Sequence, residues 1–157
     1  MDEFFRQCVE SLHPLLEGLV QMRPVTVATI PRDAPSRCIY LLSEGGRHLY
    51  VGRTHRQSLR RRLGQHSRPS AQHNQAVFAF KLAREMTGKL APSYSAAGAR
   101  AALAKDPKFA RAFAEAKGRI RKMELRFVEE SDPLRQTLLE IYVAFALKTP
   151  FNDFDTH

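Results

Sequence analysis

Glu140 lies in Leu138-Leu139-Glu140-Ile141-Tyr142-Val143-Ala144-Phe145-Ala146, a stretch that is otherwise almost wholly apolar. A carboxylate in such surroundings needs an opposite charge, a proton or a cation, because its desolvation costs several kcal/mol or more. Two readings follow, a salt bridge to an arginine or a site for a hard cation. A second chemical group is Leu59-Arg60-Arg61-Arg62-Leu63 with His66 beyond it. If this segment is helical, Arg62 and His66 are four residues apart on one face and point the same way.

The charge distribution gives these residues a context. The formal charge is +9, and residues 45–84 hold nine Lys/Arg without one Asp or Glu, while the other 117 residues carry 16 basic and 16 acidic side chains. Such a field attracts polyanions, through phosphate contacts and counterion release for nucleic acid or through anionic headgroups for a membrane. Lipid is the weaker partner, since the block contains no helix with the aromatic and leucine face of an interfacial anchor. For Arg60, Arg61 and Arg62 the bland alternative is a solvated helix face.

At 157 residues, 43% apolar and 26% charged, the chain fits one globular domain and neither a disordered nor a fibrous class. No apolar run approaches the ~20 residues of a membrane span, so no membrane partner is expected. Met1-Asp2-Glu3 is acidic where a secretion signal needs a basic flank, and Cys8 and Cys38 are too few for a disulfide scaffold or a four-thiolate zinc site. The expected compartment is a reducing cytoplasm. His13, His48, His55, His73 and His157 show no metal-ligand spacing.

The positioning elements follow from pattern. Phe5, Cys8, Val9, Leu12, Leu15, Leu16, Leu19 and Val20 form one apolar helix stripe over residues 3–20, ended by Pro24. Val25 to Ile30 reads as a short β segment. The runs from Cys38 to Leu42 and from His48 to Val51 flank Glu44-Gly45-Gly46-Arg47, which predicts an antiparallel hairpin. Ser58 caps a predicted helix to about His66 with Leu59 and Leu63 inward. Residues 73–86 read as a buried helix, though Val77-Phe78-Ala79-Phe80 also suits a strand. The alanine-rich stretch 87–118, divided by Gly88, Gly98 and Pro107, predicts two short helices as an insertion. Met123 to Val128 alternates like a half-buried strand, and Asp132-Pro133 starts a helix through Glu140 to about Leu147, stopped by Pro150.

This order of hairpin, Arg/His helix, strand, Glu helix and Asn resembles the GIY-YIG nuclease superfamily. The two name motifs stand here as Cys38-Ile39-Tyr40 and Tyr50-Val51-Gly52, followed by Arg62, His66, Glu140 and the Asn152 after Pro150. The resemblance covers residues 37–152, apart from 87–118. It implies an α/β domain over residues 37–157, with a small, largely antiparallel three-stranded sheet flanked by helices; the N-terminal helix and extended segment at 1–36, expected to pack on that domain, are not explained by it.

The resemblance further implies a metal-dependent endonuclease acting on nucleic acid, with DNA the expected substrate. Glu140 is then the sole protein ligand of Mg²⁺, or of Mn²⁺ in its place, with waters completing the shell. Arg62 contacts the scissile phosphate, and Arg53, Arg60 and Arg61 hold the flanking backbone. Tyr40, Tyr50 and His66 surround the attacking water. Tyr40 leads as the base, with a phenol pKa lowered by Arg62 and the metal, ahead of His66 and then Tyr50. Asn152 orients backbone or phosphate groups.

Cys38 departs from the pattern, standing where the family usually has glycine, so the strand must accept a Cβ. Its thiol reads as a small buried strand residue rather than a nucleophile. The competing function is a non-catalytic nucleic-acid-binding module on the same fold.

Overall fold

The computed structural model describes residues 1–90 and 99–153. Gly98 and His157 lie outside the described residues. By contacts the chain divides into two compact units, Met1–Arg62 with Met123–Asn152, and Leu63–Lys122 with Asp153–His157.

The first unit is built on the hairpin β1 (Cys38–Glu44) and β2 (Arg47–Thr54). Gly45 and Gly46 take φ of 58° and 76°, the consecutive positive values that glycine adopts at little steric cost in a two-residue turn. β3 (Glu124–Glu129) pairs antiparallel with β1, so the sheet order is β2-β1-β3 and β1 is central. Cys38 to Ser43 are all buried, the continuous burial of a strand covered on both faces. The expected three-stranded antiparallel sheet flanked by helices is present.

One face of the sheet carries Ile39, Leu41 and Val51 into a core with Leu12, Leu16 and Leu19 of the N-terminal segment and Leu139, Val143 and Ala144 of α7 (Pro133–Leu147). Each large aliphatic side chain so buried contributes ~1.5–3 kcal/mol. α7 starts where Asp132 accepts a hydrogen bond from the Arg135 N–H at 2.8 Å and Pro133 needs no partner. Lys148, at φ 50°, ends it.

The N-terminal stripe is broken in two. α1 (Glu3–Glu10) and α2 (His13–Gln21) are separate helices, because Pro14 has no N–H to continue the ladder and its ring crowds the carbonyl four residues back. Only α2 joins the core. α1 buries no residue, and Phe4 and Phe5 are 80% and 45% exposed. Val25 to Ile30 is not a strand either. Val25 makes one bridge to Leu125, after which Val27–Thr29 is a 3-10 turn held by the Thr26 and Thr29 hydroxyls, local bonds that compete with strand pairing.

α3 (Leu59–Ser67) begins at Ser58, whose Oγ accepts from the Arg61 N–H at 3.3 Å, and buries Leu59 and Leu63. The second unit adds α4 (Val77–Thr87), α5 (Arg100–Lys105) and α6 (Pro107–Lys122), the last running past residue 118. Val77-Phe78-Ala79-Phe80 is helical, and the wide face Phe78, Ala79, Phe80, Leu82 and Ala83 is buried. Phe80, Ala83, Leu103, Phe109 and Ala112 form this unit's core, with the Phe80 and Phe109 ring centroids 5.0 Å apart. Among the described residues no helix is long and apolar enough to cross a membrane.

Candidate active site

β2 is an edge strand, so side chains from both of its faces reach its outer margin. Arg53 lies opposite Ile39 and therefore on the α7 side, while Tyr50 and Gly52 lie opposite Leu42 and Tyr40 on the other. At this margin Tyr50, Gly52, Arg53, Thr54, the loop His55-Arg56-Gln57, Arg62 of α3 and Glu140 of α7 line a cleft of about 400 Å³. All belong to the first unit.

Glu140 is aimed there by the turn before it. Gln136, four residues earlier on the same helix face, is fully buried, and its Nε2 donates to the carbonyls of Thr54 at 2.9 Å and Glu130 at 2.7 Å. These bonds fasten α7 to the end of β2. Arg53 then meets the carboxylate, with Nε 3.2 Å from Oε2, and its guanidinium also donates to the Thr137 hydroxyl. Burial raises the Glu140 carboxyl above its ordinary range, and Arg53 and Arg62 offset that only in part. The salt-bridge reading of Glu140 is thus met by Arg53, yet 21% of the side chain is exposed along the cleft. Glu140 is the residue that could hold a divalent cation. One carboxylate suffices for Mg²⁺, which keeps most of its water.

Tyr40 stands one layer behind the cleft and is fully buried. A Cβ on Gly52 would lie 2.4 Å from the Tyr40 Oη and 2.5 Å from its Cζ, so the phenol occupies space that only glycine leaves open. The Arg62 guanidinium hydrogen-bonds the Tyr40 hydroxyl, and the Tyr50 ring centroid is 6.4 Å from that of Tyr40. Of the two groups expected to lower the phenol pKa, Arg62 alone does not suffice: burial, seconded by Tyr50, outweighs it and holds Tyr40 well above its ordinary value.

The remaining site residues are distributed otherwise. Arg60 donates to the Ile30 carbonyl, and Arg61 is exposed on the helix surface. Asn152 completes the edge strand: its Oδ1 accepts from the Val51 N–H and its Nδ2 donates to the Val51 carbonyl, both at 2.8 Å. It does for β2 what another strand would do. His66 belongs to the second unit and is fully buried there, so it is not the surface histidine a lone helical His suggests. The Cys38 thiol is pushed up to about 11 by burial, with Sγ 3.2 Å from the Thr54 Oγ1, which leaves it protonated and no nucleophile.

Gln136, Thr137, His55, Arg56 and Gln57 escape a reading of the sequence alone. His55 and Arg56 carried a signal in lying within the acid-free block, and Gln136 in being polar one turn before Glu140 in an apolar helix. No family model, curated protein or solved structure matches the chain. What the cleft does therefore follows from its own side chains: three guanidiniums, a cleft-facing phenol and one carboxylate, with a second phenol held behind them.

Proposed function

We propose that this cleft hydrolyses phosphodiester bonds of nucleic acid, DNA first, as a metal-dependent endonuclease of the GIY-YIG kind that the sequence resembles. The observation that carries this is the convergence on one edge strand of Arg62, bonded to the buried Tyr40 hydroxyl, and Glu140, paired with Arg53.

In this mechanism Glu140 would hold Mg²⁺ or Mn²⁺, which when bound would supply Lewis-acid stabilisation of the phosphate and a more acidic water. The chain's own residues do the rest. Arg62 faces the phosphate, where a guanidinium offsets the charge that grows on the oxygens of an in-line displacement. Tyr40, fully buried behind the cleft, accepts a hydrogen bond from Arg62 and so positions that guanidinium. Arg53 compensates the Glu140 carboxylate by pairing with it. Arg61, exposed on α3, would hold the flanking backbone, whereas Arg60 is engaged by the Ile30 carbonyl, and Asn152 completes the edge of β2 at Val51.

The test is cleavage of labelled single-stranded, duplex and branched DNA, and of RNA, with Mg²⁺ or Mn²⁺. Glu140→Ala and Arg62→Ala are each expected to lower the rate at least ~100-fold. Intact substrates with the wild-type protein and either metal overturn the proposal.

A second function is favoured by one observation, that Glu140 has a protein partner in Arg53. It is a binding module without hydrolysis. Its sign is salt-sensitive affinity for nucleic acid that neither a chelator nor Glu140→Ala changes, since phosphate contacts need no metal.

A further inference from the structure

The division into two units reassigns the charge. Leu63–Lys122 holds twelve Lys/Arg against three Asp/Glu, and with Asp153 and Asp155 the helical unit as a whole carries +7 of the chain's +9. One of the three acids in Leu63–Lys122 is spent locally. Asp106 bonds Lys89 and caps α6 through the Lys108 and Phe109 N–H groups at 2.8 and 3.1 Å.

α6 sorts its cations onto two flanks. Phe109, Ala112, Ala116 and Ile120 form the buried stripe. On one side of it, Lys117 donates to the carbonyls of Pro69 at 2.6 Å and Ala71 at 3.0 Å, and Arg121 donates to that of Ser67 at 2.6 Å. These cations hold a loop by its backbone, which satisfies their donors without cancelling their charge. On the other side, at spacings of three, four, four and three residues, stand Lys108, Arg111, Glu115, Arg119 and Lys122. All but Arg119 are classed as exposed. At 1.5 Å per residue this flank is about 21 Å long, the axial rise of about six phosphates on one strand.

We infer that this flank of α6 is a second, non-catalytic binding surface for the nucleic-acid backbone, carried by the helical unit and responsive to charge rather than base sequence. Four cations on one flank, tempered by a single carboxylate, match a phosphate row, and no apolar side chain on that flank offers a lipid anchor. The inference takes its partner from the proposed function but does not depend on cleavage.

The experiment compares the wild-type chain with Lys108→Gln/Arg111→Gln/Lys122→Gln and with a charge-matched control, Arg23→Gln/Arg32→Gln/Arg47→Gln. Affinity for a labelled duplex is measured against salt without divalent ions. Loss of three phosphate contacts is expected to reduce the slope of log K against log salt by about 3, since each contact contributes ~0.9, with at least a tenfold loss of affinity at low salt. The control is expected to change either quantity by less than half as much.

Unchanged affinity and slope in the α6 variant overturn the inference, as does an equal loss in the control. Capture by phosphatidylserine vesicles without binding of the oligonucleotide overturns it too. Cleavage measured on the same proteins separates the two proposals. A wild type that never cuts, beside an α6 variant that loses binding, removes the nuclease and leaves this surface. A variant that binds and cuts like wild type removes only this surface.

Discussion

The sheet unit and the helical unit treat polar chemistry in opposite ways. In the sheet unit, thirteen Lys/Arg nearly balance eleven Asp/Glu, and the informative groups are placed inside: Tyr40 behind Gly52, Gln136 on two carbonyls, Glu140 against Arg53. The helical unit, with twelve Lys/Arg against five Asp/Glu over its span, keeps most of its charge outside an aromatic core. A buried polar group is specified singly, by its partner, because an unmet one is costly. A surface charge is specified only in sum. Single substitutions should therefore disturb chemistry in the first unit, whereas in the second one change at an exposed charge should do little and one in the aromatic core much.

The largest effect tests the second half of that contrast. Phe109→Ala is expected to cost about 4 kcal/mol by emptying the centre of the Phe80 cluster, while single neutralisation of Lys108 or Lys122 is expected to stay within ~0.5 kcal/mol. Denaturant titration reads both. A surface lysine that costs as much as the phenylalanine would erase the distinction.

Gly52→Ala comes next, at about 3 kcal/mol, because the new Cβ meets a phenol that is walled in on every side. Tyr40→Ala in the same chain is expected to recover part of that loss, a coupling that denaturation of the double variant measures. If the two costs simply add, the phenol is not what the glycine makes room for.

Asn152→Ala is expected to cost about 2 kcal/mol, since two backbone groups of Val51 lose their partners. Hydrogen exchange at the Val51 amide is the sharper readout, expected to accelerate selectively over that of β1, which is paired on both sides. Uniform acceleration would mean that Asn152 supports the unit as a whole rather than the edge of β2.

The same contrast explains what was legible. Gly45-Gly46 between β-prone runs and Asp132-Pro133 before an apolar run are local signals, and the hairpin and α7 sit where those signals put them. Glu140 stood out because one charge in an apolar helix is conspicuous. Its partner was not legible, since nothing in the sequence separates Arg53 from the eight other cations of residues 45–84. Tyr40 was recognised by its motif, but the direction of its pKa depends on β1 being central and covered on both faces, a tertiary fact. Pro14 was a readable break hidden by a periodic stripe that continued through it. The boundary at Arg62 and Leu63 falls inside one helix, where no turn or linker signal marks it.

The smallest effect has the opposite sign. Burial holds the Glu140 carboxyl above its ordinary value despite Arg53, so over the interval between the two values the folded protein binds a proton that the unfolded chain has released. Stability must then fall as pH rises through that interval and stay lower above it. Glu140→Gln removes this term. The variant is expected to melt slightly higher than wild type at neutral pH, and the difference should shrink as pH falls below the ordinary carboxylate range, where both forms are uncharged at this position. Paired melting curves across that range measure it. A variant less stable at neutral pH would mean that the Arg53 pair outweighs desolvation, and Glu140 would then be a structural ion rather than a carboxylate kept at a cost for what it can bind.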